Sequence, residues 1–360
     1  MRGYKIGCIL VCIPLPGPLP EGEGVIFSGC SDNRMTMKLI TGDIGGTNTR
    51  LAVYDLAAGC FIDGSTQVYP SPEYASLSNI LEQYCGQFAD IGGGCFAVAG
   101  PVRNGRSEIT NLPWVVDAAQ IASIFGWRHV AVLNDLEAIA WGIDLLDDND
   151  IHTLNAGNPD PEGNRSVIAA GTGLGEAGLC CAGGRWHPFA SEGGHTDFAP
   201  ADAEQARLLS WLSDQYGHVS GERVASGTGL VDLHAWCCER RQAPLPDWVA
   251  GAADPAAAIS EAALDGRDEA CKDALDIFVR CYGAEAGNLA LKQMATGGVY
   301  LAGGIAPKLL DRLQQGDFMQ AFSDKGRMGK LLESMPVRIV TSGQVSLLGA
   351  VAYANDTFSQ

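Results

Sequence analysis

No run of apolar residues in this 360-residue chain approaches the roughly 20 needed for a membrane-spanning helix. Positive charge is scarce. Lys and Arg total 24 against 42 Asp and Glu, a net charge of −18, which argues against a nucleic-acid partner because a phosphate backbone is gripped mainly by basic side chains. There is no C-x-x-C among the 12 cysteines, and Cys180-Cys181 and Cys237-Cys238 are vicinal pairs without framework spacing. Reduced, mostly buried thiols in a reducing cytoplasm are therefore expected rather than disulfides or zinc. There is also no G-x-x-x-x-G-K-[ST], which excludes a P-loop enzyme. One G-x-G-x-x-G runs from Gly173 to Gly178. A dinucleotide site needs a helix to begin there, but Leu179-Cys-Cys-Ala-Gly-Gly follows, a short run closed by glycines, so NAD is discounted.

Apolar residues make up 46% of the chain, enough for two domains or one large two-lobed body with a substantial core. Residues 1–36 are foreign to the rest. A short apolar segment from Ile6 to Leu15 runs into Pro14, Pro16, Pro18 and Pro20 and an acidic spacer. This is read as a disordered extension or a misassigned start, with Met35 or Met37 opening the domain. From Lys38 onward strands alternate with helices. Gly94 to Ala99, His129 to Leu133, Ser166 to Ala170, Gly298 to Ala302 and Val337 to Val340 read as strands. Ala203 to Tyr216, Asp232 to Arg240, Cys271 to Ala295 and Val345 to Tyr353 read as helices, and Asp117 is placed to cap another that runs to Phe125.

Three glycine turns sit at strand ends. The first, within Asp43-Ile-Gly-Gly-Thr-Asn-Thr-Arg50, lies between two apolar runs as in a β-hairpin. Its paired glycines let backbone amides approach an anion, and Thr47 and Asn48 add donors. Asp43 is placed to hold a hydrated Mg²⁺ beside phosphates. Taken alone, the stretch is equally a plain hairpin. The second turn is Gly171-Thr-Gly-Leu-Gly175, and two such hairpins facing each other would clamp one polyphosphate between two lobes. The third turn is Gly303-Gly304-Ile305. Asn134 and Asp135 end a strand, where α/β folds place ligands, although an Asp there is also an ordinary helix cap. Ala190 to Phe198 is a turn dense in hydrogen-bonding groups that on its own reads as a surface loop with a structural His.

Asp43-Ile-Gly-Gly-Thr-Asn, Leu133-Asn-Asp135, Gly171-Thr-Gly-Leu-Gly175, Glu192-Gly-Gly-His195, Gly221-Glu-Arg-Val224 and Leu301-Ala-Gly-Gly-Ile305 occur in the order and spacing of bacterial glucokinases. Through them residues 37–354 resemble that family, the ATP-dependent glucose kinases of the hexokinase type. Related ROK kinases carry a zinc-binding Cys cluster after their Glu-x-Gly-His segment, whereas Thr196-Asp-Phe-Ala-Pro-Ala follows here. The resemblance implies an α/β, two-lobed actin-like ATPase (ribonuclease H-like) fold with the nucleotide cleft between lobes: a small lobe over 37–145 completed by 341–360, and a large lobe over 146–340. It implies phosphorylation of D-glucose at the 6-hydroxyl by ATP-Mg²⁺, as the first step of glycolysis, in a cytoplasmic homodimer.

By the same resemblance Asn134, Asp135, Glu192, His195 and Glu222 grip the sugar, with Asp135 as general base. Gly45, Gly46, Thr47 and Asn48 face the phosphates from one lobe and Gly171, Thr172 and Gly173 from the other. Asp43 holds Mg²⁺ through water, and Gly303 and Gly304 let adenosine lie against the backbone. Gly100, Asn111 and Trp114 are expected to shape the sugar pocket, Trp114 being equally plausible as core. Two alternatives stay open: a surface ion pair for Glu222 with Arg223, and a different function, either a kinase for another hexose or N-acetylhexosamine or a non-catalytic sugar sensor.

Overall fold

The computed structural model describes residues 38–109 and 112–358. The expectations for residues 1–36 and for Asn111 lie outside the described residues.

The first sheet begins with β1 (Lys38–Ile44) and β2 (Asn48–Asp55), an antiparallel hairpin whose turn is Gly45 to Thr47. The short β3 (Cys60–Phe61) and β4 (Gln67–Pro70) both pair with β2. Next, β5 (Ile91–Val98) runs parallel to β1. A small three-stranded sheet of β6 (Val102–Arg103), β7 (Arg106–Glu108) and β8 (Val115–Asp117) follows; its strands are too short to carry a periodic signal. Asp117 then caps the Ala118–Phe125 helix, accepting from the amides of Ala119 at 2.9 Å and Gln120 at 3.1 Å. The sheet is completed by β9 (His129–Asn134), parallel to β5, in the order β3-β2-β1-β5-β9.

The second sheet repeats this plan. Its β10 (Ile151–Asn155) is an edge strand, followed by the hairpin of β11 (Arg165–Ala170) and β12 (Leu174–Ala182), onto which β13 (Arg185–Ser191) adds antiparallel. After a run of helices, β14 (Gly298–Ala302) pairs parallel with β11, and β15 (Val337–Val340) pairs parallel with β14. The order β13-β12-β11-β14-β15 thus matches β3-β2-β1-β5-β9 strand for strand and direction for direction, so each hairpin turn occupies the same place in its own sheet. The sequence's G-x-G-x-x-G therefore runs into a strand, β12, rather than a helix.

Helices cover the second sheet. The longest, Glu269–Gln293, buries Ala274, Leu275, Phe278, Val279 and Tyr282, the side expected from its periodicity. The Gly227–Arg240 helix starts five residues earlier than its apolar pattern suggests, because Ser226 caps it through the Gly229 amide at 3.0 Å and the glycines of its first turn are packed rather than exposed.

Two helices fill the space between the sheets: Asp135–Gly142, entered directly from β9, and Val345–Phe358. Ile139 and Ala140 belong to an apolar cluster with Val167, Ala169 and Leu179 of the second sheet, while Ala138 packs with Leu39, Cys95 and Leu133 of the first. They cross at glycines. A Cβ on Gly349 would sit 1.6 Å from the Ala138 carbonyl oxygen, and one on Gly142 would sit 2.3 Å from that of Val345, so any side chain there would force the helices apart.

Candidate active site

Register brings the first set of groups together. Asp43 on β1 lies opposite Ala97 on β5, and Ala97 opposite Leu133 on β9. Asp135, the first residue of the helix entered from β9, stands close enough to Asp43 to feel its charge. Burial, then the negative charge of Asp43, then that of Glu192 raise the Asp135 carboxyl to about 7, against the Leu136 amide that it accepts. Burial also raises Asp43, opposed by a hydrogen bond from Ser346 and by the charge of Arg50. Asn134 is committed within the fold: Oδ1 accepts from the amides of Leu136 at 2.9 Å and Glu137 at 3.2 Å, and Nδ2 donates to the Gly100 carbonyl at 3.2 Å. One of its N–H groups is left over.

The second set is assembled from two loops. The Gly221 amide donates to the Thr196 carbonyl at 3.0 Å, and the Phe198 amide to that of Val219 at 2.9 Å, which stitches the Glu192–Thr196 turn to the start of the Glu222–Ala225 helix. His195 is the result of that stitching: its Nε2 lies 4.0 Å from Glu192 Oε2 and its Nδ1 4.0 Å from Glu222 Oε1. The outer two, Glu192 and His195, are exposed, and Glu222 is half-buried. Glu222 also reaches sideways, Oε2 accepting from the Leu174 amide at 2.9 Å, and a Cβ on Gly173 would lie 2.4 Å from that oxygen. No ion pair joins Glu222 to Arg223. Arg223 stacks on the Tyr216 ring at 3.7 Å and approaches Asp232 at 3.9 Å.

Both phosphate-type turns are held from behind by residues the sequence did not single out. Ser71 receives the first turn, its amide donating to the Thr47 carbonyl at 3.0 Å and its hydroxyl to that of Gly45 at 2.8 Å. The second turn docks on the amino end of the Gly227–Arg240 helix. There the Gly227 amide donates to the Gly171 carbonyl at 2.8 Å and the Thr228 hydroxyl to that of Thr172 at 3.2 Å. A Cβ on Gly303, whose φ is +80°, would lie 2.5 Å from the Ala170 carbonyl oxygen, whereas one on Gly304 would meet nothing within 4 Å. Gly303 is thus required by the fold, while Gly304 faces open space.

The carboxyl end of β15 closes the arrangement. Arg50 on β2 donates to the Gly343 carbonyl, and the buried Ser346 donates to Asp43 Oδ2 at 2.9 Å. Ser346 was invisible beforehand, since only folding brings residues 303 positions apart together. Trp114, one of the residues expected near the sugar, belongs instead to the core beneath the first sheet; its indole donates to the Tyr74 carbonyl at 3.1 Å.

Comparison with known proteins assigns the family. The sequence model described as Glucokinase matches residues 40–357. The chain belongs to the glucokinase family. Glucokinase of Nostoc punctiforme is 39% identical over 335 residues, 88% of this chain and 98% of that protein. Glucokinase of Yersinia pestis is 38% identical over 320 residues, 89% and 97% of the two chains. The solved glucokinase of an Antarctic psychrotroph superposes with a TM-score of 0.76 at 33% identity, over 89% of this chain and 99% of that one. A ROK-family glucokinase from Streptomyces griseus, solved with glucose and AMPPNP, shares the fold at a TM-score of 0.61 and 23% identity, over 89% and 99% of the two chains. This glucokinase-family enzyme accordingly has the two-domain actin-like ATPase fold expected from its motifs. Among the described residues no helix is long and apolar enough to cross a membrane.

Proposed function

We propose that this enzyme transfers the γ-phosphoryl group of ATP to the 6-hydroxyl of D-glucose, giving glucose 6-phosphate and ADP as the first step of glycolysis. The observation that carries the reading is Glu222, whose carboxylate joins the His195 and Glu192 cluster to the Gly171–Gly175 turn. A hydroxyl-rich ligand held by these carboxylates and the imidazole would therefore lie against a backbone suited to phosphate. Asn134, Asp135, Glu192, His195 and Glu222 offer acceptors and donors from three loops, as a ring of hydroxyls requires.

Asp135 is the general base. As the sugar hydroxyl oxygen forms its bond to the γ-phosphorus and the bond from phosphorus to the ADP oxygen breaks, the hydroxyl proton passes to the Asp135 carboxylate. Gly45, Gly46, Thr47 and Asn48 receive the phosphates from one lobe and Gly171, Thr172 and Gly173 from the other, and Gly303 and Gly304 lie under the adenosine. The residues present suit a Mg²⁺ ion. Neither phosphate turn contains a basic side chain, and the half-buried carboxyls of Asp43 and Asp135 repel one another. Asp43 would hold the ion, which when bound neutralises phosphate charge.

The smaller lobe is taken as residues 37–145 with 341–360 and the larger as 146–340. Closure of one on the other would exclude water that otherwise competes for the phosphoryl group. The test is a coupled assay on the purified protein, supplying ATP-Mg²⁺ with glucose, mannose and N-acetylglucosamine in turn. Glucose 6-phosphate should form, with glucose the preferred acceptor. No transfer to glucose above background would overturn the reaction, and equal rates on the other sugars would overturn the preference.

A further inference from the structure

The large lobe carries a second cluster of chemically capable side chains, away from the residues assigned to sugar and phosphate. On the Gly227–Arg240 helix, His234 and Cys238 are four apart and so share a face. They are 1% and 2% exposed, and Cys238 Sγ lies 3.5 Å from His234 Nε2. At the start of the Glu269–Gln293 helix, Asp268 is the capping residue, Oδ1 accepting from the Cys271 amide at 2.9 Å. Cys271 is fully buried. One ligating atom each from His234, Asp268 and Cys271 lie within 4.8 Å of one another.

A buried imidazole and thiol beside a half-buried carboxylate, with a second buried thiol against the imidazole, is an unusual way to fill apolar space, because each polar group taken from water needs a partner. Asp268 accepts from the Cys271 and Ala270 amides and from the Cys271 thiol, and the imidazole lies against the Cys238 thiol. The imidazole is kept neutral: burial lowers the His234 pKa, with Asp268 pulling the other way. Burial and then Asp268 lift Cys271 to about 12, so without a cation its thiol stays protonated and is a weak hydrogen-bonding group. A divalent ion would reverse that preference, deprotonating the thiol and accepting the imidazole lone pair.

We propose that His234, Asp268 and Cys271, with Cys238 as the adjacent fourth donor, form a structural Zn²⁺ site that staples the Gly227–Arg240 helix to the start of the Glu269–Gln293 helix. Nitrogen, sulfur and a single carboxylate oxygen are the donor set that Zn²⁺ takes, in four-coordinate sites closed to solvent. Zinc bonds of about 2.0 to 2.3 Å require the three donors, now within 4.8 Å of one another, to draw together. This inference revises the expectation of thiols that only pack. Since the other end of the Gly227–Arg240 helix holds Thr172 through Thr228, the staple would also steady the second phosphate turn.

The test begins with the full-length protein expressed in zinc-supplemented medium, desalted, and measured by elemental mass spectrometry. About one zinc per chain is expected, falling at least tenfold in both His234→Ala and Cys271→Ser. The wild-type chain stripped with a chelator and given Co²⁺ alone should show the intense visible bands of a tetrahedral ion and a near-ultraviolet thiolate-to-cobalt band. These cobalt readings need neither activity nor a mutant that folds. Wild-type protein with less than about a tenth of a zinc per chain and no cobalt bands would overturn the site. So would zinc that persists unchanged in folded Cys271→Ser.

Discussion

Ser346→Ala removes one hydroxyl from inside the protein and asks whether Asp43 works as assigned. The hydroxyl donates to Asp43 Oδ2 at 2.9 Å, and of the two influences that counter the effect of burial on Asp43 it is the larger, ahead of Arg50. A hydrogen bond to a charged acceptor contributes about 1.5 to 3 kcal/mol, and each 1.36 kcal/mol is about tenfold. Complete loss would thus weaken whatever depends on ionised Asp43 by about 10- to 150-fold. Asp43 is only half-buried by surface, so water replaces part of the bond, and a fall of about 10- to 30-fold in kcat/KM for ATP-Mg²⁺ is expected.

Of the sugar groups only Asp135 senses Asp43, through charge, and the others lie on separate loops, so the glucose Kd should stay within about twofold. Two measurements suffice: initial rates with ATP-Mg²⁺ varied at saturating glucose, and a glucose titration followed by intrinsic fluorescence. A thermal melt checks that the C-terminal helix still docks. If kcat/KM for ATP-Mg²⁺ stayed within about twofold of wild type in a folded variant, the link from Ser346 through Asp43 to nucleotide use would be wrong. Equal losses for ATP and glucose would mean that Asp43 serves both ligands.

Asp135→Ala should lower kcat by about 10² or more while glucose affinity changes by less than about tenfold, the scale of general-base loss; near-normal kcat would remove Asp135 from that role. Because the raised Asp135 must be ionised to take a proton, kcat/KM for glucose in the wild type should decline as pH falls through about 7, and a profile flat from about pH 6 to 8 would contradict it. Gly349→Ala places a methyl group 1.6 Å from the Ala138 carbonyl oxygen and should cost at least about 1 to 3 kcal/mol in urea unfolding, whereas an unchanged midpoint would show that the helix crossing is looser than described. Glu176, 1% exposed, is raised to about 7 by burial and then by Glu285, against Lys292. Its folded value exceeds the unfolded one, so its contribution to stability is present at low pH and is lost between about 4.5 and about 7. Glu176→Gln should consequently gain stability relative to wild type at about pH 8 compared with about pH 5 in paired urea titrations, and a constant difference would refute the assignment.

The features legible in the sequence are those whose chemistry is local. A glycine turn between two apolar runs announces its own hairpin, and Gly45-Gly46 and Gly171-Thr-Gly173 both proved to be turns at equivalent places in two equivalent sheets. Asp117 announced a helix start by capping chemistry that acts within three residues. The three-stranded sheet of β6, β7 and β8 was missed because two or three residues cannot display a period of two. The Gly227–Arg240 helix was started late because Gly227 and Gly229 lower helix propensity, and only the packed tertiary setting overrides that. Trp114 was ambiguous for a related reason: an indole suits a sugar pocket or a core equally, and only its bond to Tyr74 decides.

The site itself divides along the same line. Asp43, Asp135 and Glu222 carry their chemistry wherever they stand, and each sits beside a recognisable turn or strand end. The groups that aim them do not. Ser71, Thr228 and Ser346 are ordinary hydroxyl residues, and a hydroxyl has no signature until its acceptor is known. Each bridges segments that are separate in the chain, Ser71 to Gly45, Thr228 to Thr172 and Ser346 to Asp43. In the proposed reading all three brace the nucleotide side, while Asn134 and the bond from Gly221 to Thr196 brace the sugar side. The two halves meet at Glu222, the one charged group bonded to the backbone of a phosphate turn within the sugar cluster described here. Shortening it in Glu222→Asp would retain the charge and break one of those two contacts, so the half that fails first identifies which contact sets its position.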